Sequence, residues 1–207
     1  MKKILLLVII SSSFFTVTGQ QIALNSQYMF NSFAINPAVA GTKNYSPLTF
    51  TFRRQWMGMD EAPVTQHLMG HTFIGKNAGT GLHFFNDASG PTRRTGLSAA
   101  FSYQVKTGES SKLSFGLSGS LTQFVLDRDR LITEIPDDIA IMNSTNNEMI
   151  PDFNFGLYWY GERHYIGVTG FHLLESKSDL FDLTTPVSNT LNRALSVSYT
   201  HLTLPTT

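Results

Sequence analysis

The sequence predicts an all-β fold, an antiparallel transmembrane outer-membrane β-barrel that is incomplete in this chain. Three observations carry that expectation. First, Arg94 to Asp127 reads as two long strands around the polar turn Lys106–Ser111. Leu97, Ala99, Phe101, Tyr103 and Val105 alternate with Ser98, Ala100, Ser102 and Gln104, and Leu113, Phe115, Leu117 and Leu121 alternate with Lys112, Ser114, Ser118, Ser120 and Thr122. Successive strand side chains point to opposite faces, so one face is apolar and the other small and polar. Each arm exceeds the roughly 9–11 residues that a tilted strand needs to cross a bilayer. Second, charged residues make up 14% of the chain, against roughly 25% in soluble domains. Aromatic residues make up 12%, and the mean hydropathy is −0.05, as expected when apolar and polar faces cancel along each strand. Third, short turns alternate with long polar loops, the connection pattern of such barrels.

Residues 1–19 form a secretory signal. Lys2 and Lys3 precede the apolar run ILLLVII and the small-residue stretch SSSFFTVTG, with Val17 and Gly19 suited to the −3 and −1 cleavage positions. The apolar run is too short to anchor the chain in a bilayer. Cleavage leaves 13 basic and 15 acidic residues, a formal −2, and directs the protein out of the cytoplasm. The near-neutral charge gives no electrostatic reason to expect nucleic acid as a partner. The absence of cysteine removes disulfides, thiol catalysis and cysteine metal sites.

Residues 20–46 form a non-periodic segment with turn signals at Asn36-Pro37 and Ala40-Gly41. Two readings stay open for it: a segment that plugs or lines the barrel, and an irregular lead-in to the first strand. Residues 47–197 carry the barrel strands. Pro47–Gln55 sets Leu48, Phe50 and Phe52 against Thr49, Thr51 and Arg53, while Pro63–Ile74 is ambiguous in facing. Ala78–Asn86 precedes the central pair, Arg128–Ile150 is a polar loop, and Asp152–Tyr160 puts Phe153, Phe155, Leu157 and Trp159 on one face. Arg163–Leu174 follows the tight turn Gly161-Glu162, and a last strand starts near Leu191. Residues 198–207, SYTHLTLPTT, break the pattern and resemble a translated sequencing adapter, so an artefactual tail and a truncated chain are expected.

No catalytic, cofactor-binding or metal-binding residue is assigned. His67 and His71 are four apart, but on a strand that spacing separates them by about 13 Å, and the glutamate of a zinc helix motif is missing. Asp127, Asp129, Asp137 and Asp138 lack the ladder of a calcium loop. Gly79-Thr80-Gly81 opens no helix that could cradle a phosphate. No G-x-S-x-G elbow is present. Arg53-Arg54 and Arg93-Arg94 suit head groups or solvent at strand ends, and Trp56 suits an interfacial girdle.

Four stretches carry a family resemblance: SQYMFNSFAINPAVAG (26–41), RRQWMGMDEAPVTQ (53–66), GLHFFNDASGPTRRTGL (81–97) and PDFNFGLYWYGERHYIGV followed by HLLESK (151–177). In this order they resemble the PorP/SprF family, outer-membrane proteins of the Bacteroidetes associated with the type IX secretion system. Val39 departs from the family, which usually has an aromatic there, a change expected to soften packing of the N-terminal segment. Family members also normally carry further strands after the H-L-L segment. The resemblance implies a non-catalytic accessory barrel in the cell outer membrane. It implies support for secretion or surface anchoring of a partner adhesin, including adhesins used in gliding motility and cell adhesion. The implied partners are that adhesin with its C-terminal sorting domain, other type IX secretion components and outer-membrane lipid. The expected mechanism is capture of the sorting domain by loops, foremost Arg128–Ile150. The alternatives are a passive outer-membrane channel and a soluble secreted β-sandwich binding module.

Overall fold

The computed structural model describes residues 31–127, 147–162, 164–174 and 193–201. The expected signal segment at 1–19, residues 20–30, the loop positions 128–146 and the end of the tail at 202–207 lie outside those residues. Eight strands are present among the described residues: β1 (Leu48–Arg54), β2 (Val64–Ile74), β3 (Ala78–Ser89), β4 (Thr92–Lys106), β5 (Lys112–Leu126), β6 (Asn147–Tyr160), β7 (His164–Phe171) and β8 (Ala194–His201). They form one sheet in sequence order, antiparallel throughout, which curls into a half-barrel. Among the described residues β1 and β8 remain its two edges.

Strands end where pairing partners run out. β3 continues past Asn86 because Asp87, Ala88 and Ser89 pair with Arg94, Arg93 and Thr92. The polar loop expected to reach Ile150 ends earlier, since Asn147–Ile150 pair with Val125–Thr122 and belong to β6. β8 crosses the boundary expected at Ser198, with Ser198, Tyr199, Thr200 and His201 opposite Gly167, Ile166, Tyr165 and His164. Among the described residues, connections 75–77 and 107–111, with Gly161 and Glu162, lie at one mouth; 55–63 and the tight turn 90–91, with Asp127 and His172–Leu174, lie at the other. Barrels of this class place short turns on the periplasmic side.

The two faces invert the burial of a soluble protein. Leu48 is 78% exposed, Phe50 67% and Leu195 74%, whereas Ser102 and Ser114 are fully buried. Register aligns the outward set: Phe50, Leu68, Phe84, Leu97 and Leu121 lie side by side across β1–β5. Phe101, Leu117 and Phe155 form a parallel row. On β4 the outward run from Leu97 to Val105 covers about 26 Å along the strand at ~3.3 Å per residue. That is the scale of the apolar band such barrels present to lipid. Exposed hydrophobic area this continuous has no place on a monomer in water.

The facing of β2, ambiguous in sequence, follows from its neighbours. Leu68 lies in the outward row, so Thr65, His67, Met69 and His71 face in, and Met69 and His71 are buried. The concave side holds a small apolar cluster of Phe33, Val39, Ala40, Met69 and Ala100. Three of these belong to the N-terminal segment rather than to the sheet.

Candidate functional site

A band of small residues crosses the concave face at one height. In register, Gly79 of β3 meets Ser102 of β4, Ser102 meets Gly116 of β5, Gly116 meets Gly156 of β6, and Gly156 meets Thr169 of β7. Where side chains are this small, another piece of backbone can approach the sheet. Residues 36–41, Asn-Pro-Ala-Val-Ala-Gly, lie in that trough.

The segment is shaped locally before it is packed. Two single 3-10 turns, Ser32–Ala34 and Pro37–Val39, follow one another. Asn36 caps the second: its Oδ1 accepts from the Ala38 N–H at 2.9 Å, and Pro37 supplies a fixed φ at the first helical position. Gly41 ends the turn at φ 65°, a left-handed conformation that costs glycine little. This segment is thus a plug of defined shape, not an irregular lead-in. Val39 is 3% exposed, so it fills its site as a smaller side chain.

The fit to the sheet is backbone against backbone. A Cβ at Gly116 would collide with the amide nitrogen and Cα of Ala38. A Cβ at Gly79 would run into the Ala40 carbonyl, and one at Gly156 into Asn36 Oδ1. The plug's polar groups find partners in the lumen. Asn36 Nδ2 donates to the Leu157 carbonyl at 2.9 Å, Ser102 Oγ to the Ala40 carbonyl at 2.6 Å, and Gln104 Nε2 to the Gly41 carbonyl at 2.8 Å. The Gly41 N–H donates to His71 Nδ1 at 3.1 Å, and Tyr160 holds Gln104 by donating its hydroxyl to Oε1 at 2.9 Å. Inside a barrel each of these groups would otherwise lose its water, at a cost of about 1–3 kcal/mol apiece.

Toward the long-loop mouth the concave face is instead lined by side-chain pairs between adjacent strands. His67 Nδ1 and His83 Nε2 are 3.0 Å apart, and Thr65 Oγ1 donates to Asp87 at 2.7 Å. The Arg94 guanidinium sits 5.1 Å from the Phe124 ring centroid and 6.0 Å from that of Phe85. Asp152 Oδ2 pairs with His172 Nδ1 at 2.8 Å, and Asn154 Oδ1 accepts from the His172 N–H at 3.2 Å. Those contacts pin the start of the 172–193 connection, where His172 has a φ of 57°.

The residues weighed in sequence are dispersed by this geometry. His67 and His71 share the inward face of β2, but His67 meets His83 while His71 accepts from the plug. No group of three potential ligands gathers among the described residues. Asp127 closes the 90–91 turn by donating its N–H to the Pro91 carbonyl at 2.8 Å; Asp129, Asp137 and Asp138 lie outside the described residues. Gly79 and Gly81 serve the plug, the latter beneath the Phe33 ring. Arg94 turns into the lumen, while Trp56 stands 66% exposed beyond β1 with a φ of 50°. The small-residue trough and the Asp152–His172 pair were missed in sequence. The nearest signal was Asn36-Pro37 itself, legible only as a turn.

A family model described as "Type IX secretion system membrane protein PorP/SprF" matches residues 17–202. No curated protein and no solved structure matches the chain.

Proposed function

The chain belongs to the PorP/SprF family of type IX secretion system membrane proteins, and we propose that within that system it is a non-catalytic accessory barrel of the outer membrane. In this reading it supports export or surface anchoring of a partner adhesin. The adhesin's C-terminal sorting domain engages loops at the long-loop mouth, and the signal segment brings the chain to the membrane. The single observation that carries a binding role over a transport role is the filled lumen. Residues 36–41 occupy the trough between β3 and β7 and are hydrogen-bonded to three strands, β2, β4 and β6. A solute would have to displace a segment whose polar groups are already paired. The continuous apolar exterior argues for lipid over a soluble sandwich.

The test is adhesin display in the native host. Loss of the gene is expected to abolish surface display of the partner, with the adhesin trapped or degraded. Removing residues 128–146 alone, with barrel levels unchanged on a heat-modifiability gel, is expected to reduce display about as strongly. Normal display without the gene would end the accessory reading. Normal display without residues 128–146 would end only the assignment of capture to that loop.

A further inference from the structure

The mouth opposite the long loops contains a cleft of about 210 Å³ lined by Lys43, Lys76 and Lys112. The three lysines come from separate parts of the chain. Lys43 follows the plug, Lys76 lies in the 75–77 connection, and Lys112 opens β5. Gly41 and Gln104, joined to each other by a hydrogen bond, line it together with Thr42, Asn44 and Phe73. No residue lining the cleft is acidic. Among the described residues none of the three ammonium groups makes an ion pair. Two carboxylates share this rim, Glu109 in the 107–111 connection and Glu162 in the 161–163 connection, and neither lines the cleft. Ser114, the register partner of Gln104, is fully buried with no partner for its hydroxyl among the described residues.

Three like charges gather around one small cleft, and no carboxylate among the described residues pairs with them. Such an arrangement favours the entry of something negative. We propose that this cleft is a docking site for an acidic peptide segment of a periplasmic partner, its carboxylates pairing with Lys43, Lys76 and Lys112. Gly41 and Gln104, both on the concave side, line the cleft, so a ligand there meets the plug end of the lumen. Neither an arginine fork nor a helix N-terminus is present to grip a single phosphate from one direction. Three separately rooted ammoniums instead suit carboxylates spaced along an extended chain. The site stands at the opposite mouth from the proposed adhesin loops and does not depend on that assignment.

The experiment uses the full chain in zwitterionic detergent and a fluorescein-labelled hexapeptide of alternating Asp and Glu, read by anisotropy. Binding is expected at 20 mM salt, weakening steeply toward 0.3 M as screening sets in. The double variant K43E/K76E is expected to lose at least about tenfold in affinity. Lys112→Glu alone is expected to lose less, and Arg93→Glu, outside this cleft, nothing. Substituting Lys43 and Lys76 by Gln gives a second test should charge reversal disturb folding, with heat-modifiability as the folding control. Absence of binding, or a loss equal in Arg93→Glu, would overturn the proposal. So would displacement of the peptide by inorganic phosphate at equimolar charge, which would assign the cleft to a phosphate.

Discussion

The two halves of the lumen are held by different means. Near the short-turn mouth, backbone meets backbone: residues 36–41 lie against Gly79, Gly116 and Gly156 with no room for a single added carbon. Near the long-loop mouth, side chains pair between adjacent strands along the wall: His67 with His83, Thr65 with Asp87, Arg94 over Phe124, Asp152 with His172. The first arrangement has one solution, since a backbone cannot rotate away from a clash. The second has many, because each side chain has other rotamers and other partners within reach. Sequence change should therefore be tolerated at the mouth proposed to meet a variable partner and refused at the plug.

Three substitutions test that contrast. The largest effect is expected from Gly116→Val, which drives a branched side chain into Ala38 and unseats the plug. Overpacking of this kind costs about 1–3 kcal/mol where neighbours can yield; here the neighbour is backbone, so the upper end or more is expected. The readout is loss of the heat-modifiable folded band, and a normal band would show that the plug is not seated as described. An intermediate effect is expected from Asn36→Ala, which removes both the cap to Ala38 and the bond to Leu157. Two bonds at about 1 kcal/mol each, with the Leu157 carbonyl left unpaired, predict a loss of about 2–3 kcal/mol in urea unfolding from vesicles. A change under about 0.5 kcal/mol would mean that water replaces the amide. The smallest effect is expected from His172→Ala at the other mouth. It should cost about 1 kcal/mol or less in the same assay, while proteolysis within 172–193 quickens because the connection has lost its tether. An effect on global stability as large as that of Asn36→Ala would erase the distinction between the halves.

These contrasts also explain what could be read from the chain. The β4–β5 pair was legible because period-2 alternation from Leu97 to Leu121 is a local signal, and its register follows from the turn at 107–111. β2 was not, because its inward face mixes Thr65, His67, Met69 and His71, none of which declares a side by polarity alone. The trough was out of reach for another reason. Gly79, Gly116 and Gly156 look unrelated in sequence and become one feature only after three strand registers are known. Asn36 illustrates the same limit, since its partner Leu157 lies 121 positions away. The composition had pointed to a membrane barrel, and Ser102 buried beside an exposed Phe101 is that expectation at single-residue scale.

The place of Asn36 has a consequence in folding time. Its segment precedes every strand among the described residues, yet the surface that receives it is made by strands from β2 to β6. Contacts so distant along the chain form only after intervening loops have closed, and they form slowly. The first residues to arrive are thus among the last to settle. Until β6 is in register with β5, Asn36 lacks its partner Leu157 and the Gly116–Gly156 floor is unmade, so docking of residues 36–41 reports that the wall behind them has been built as far as β6.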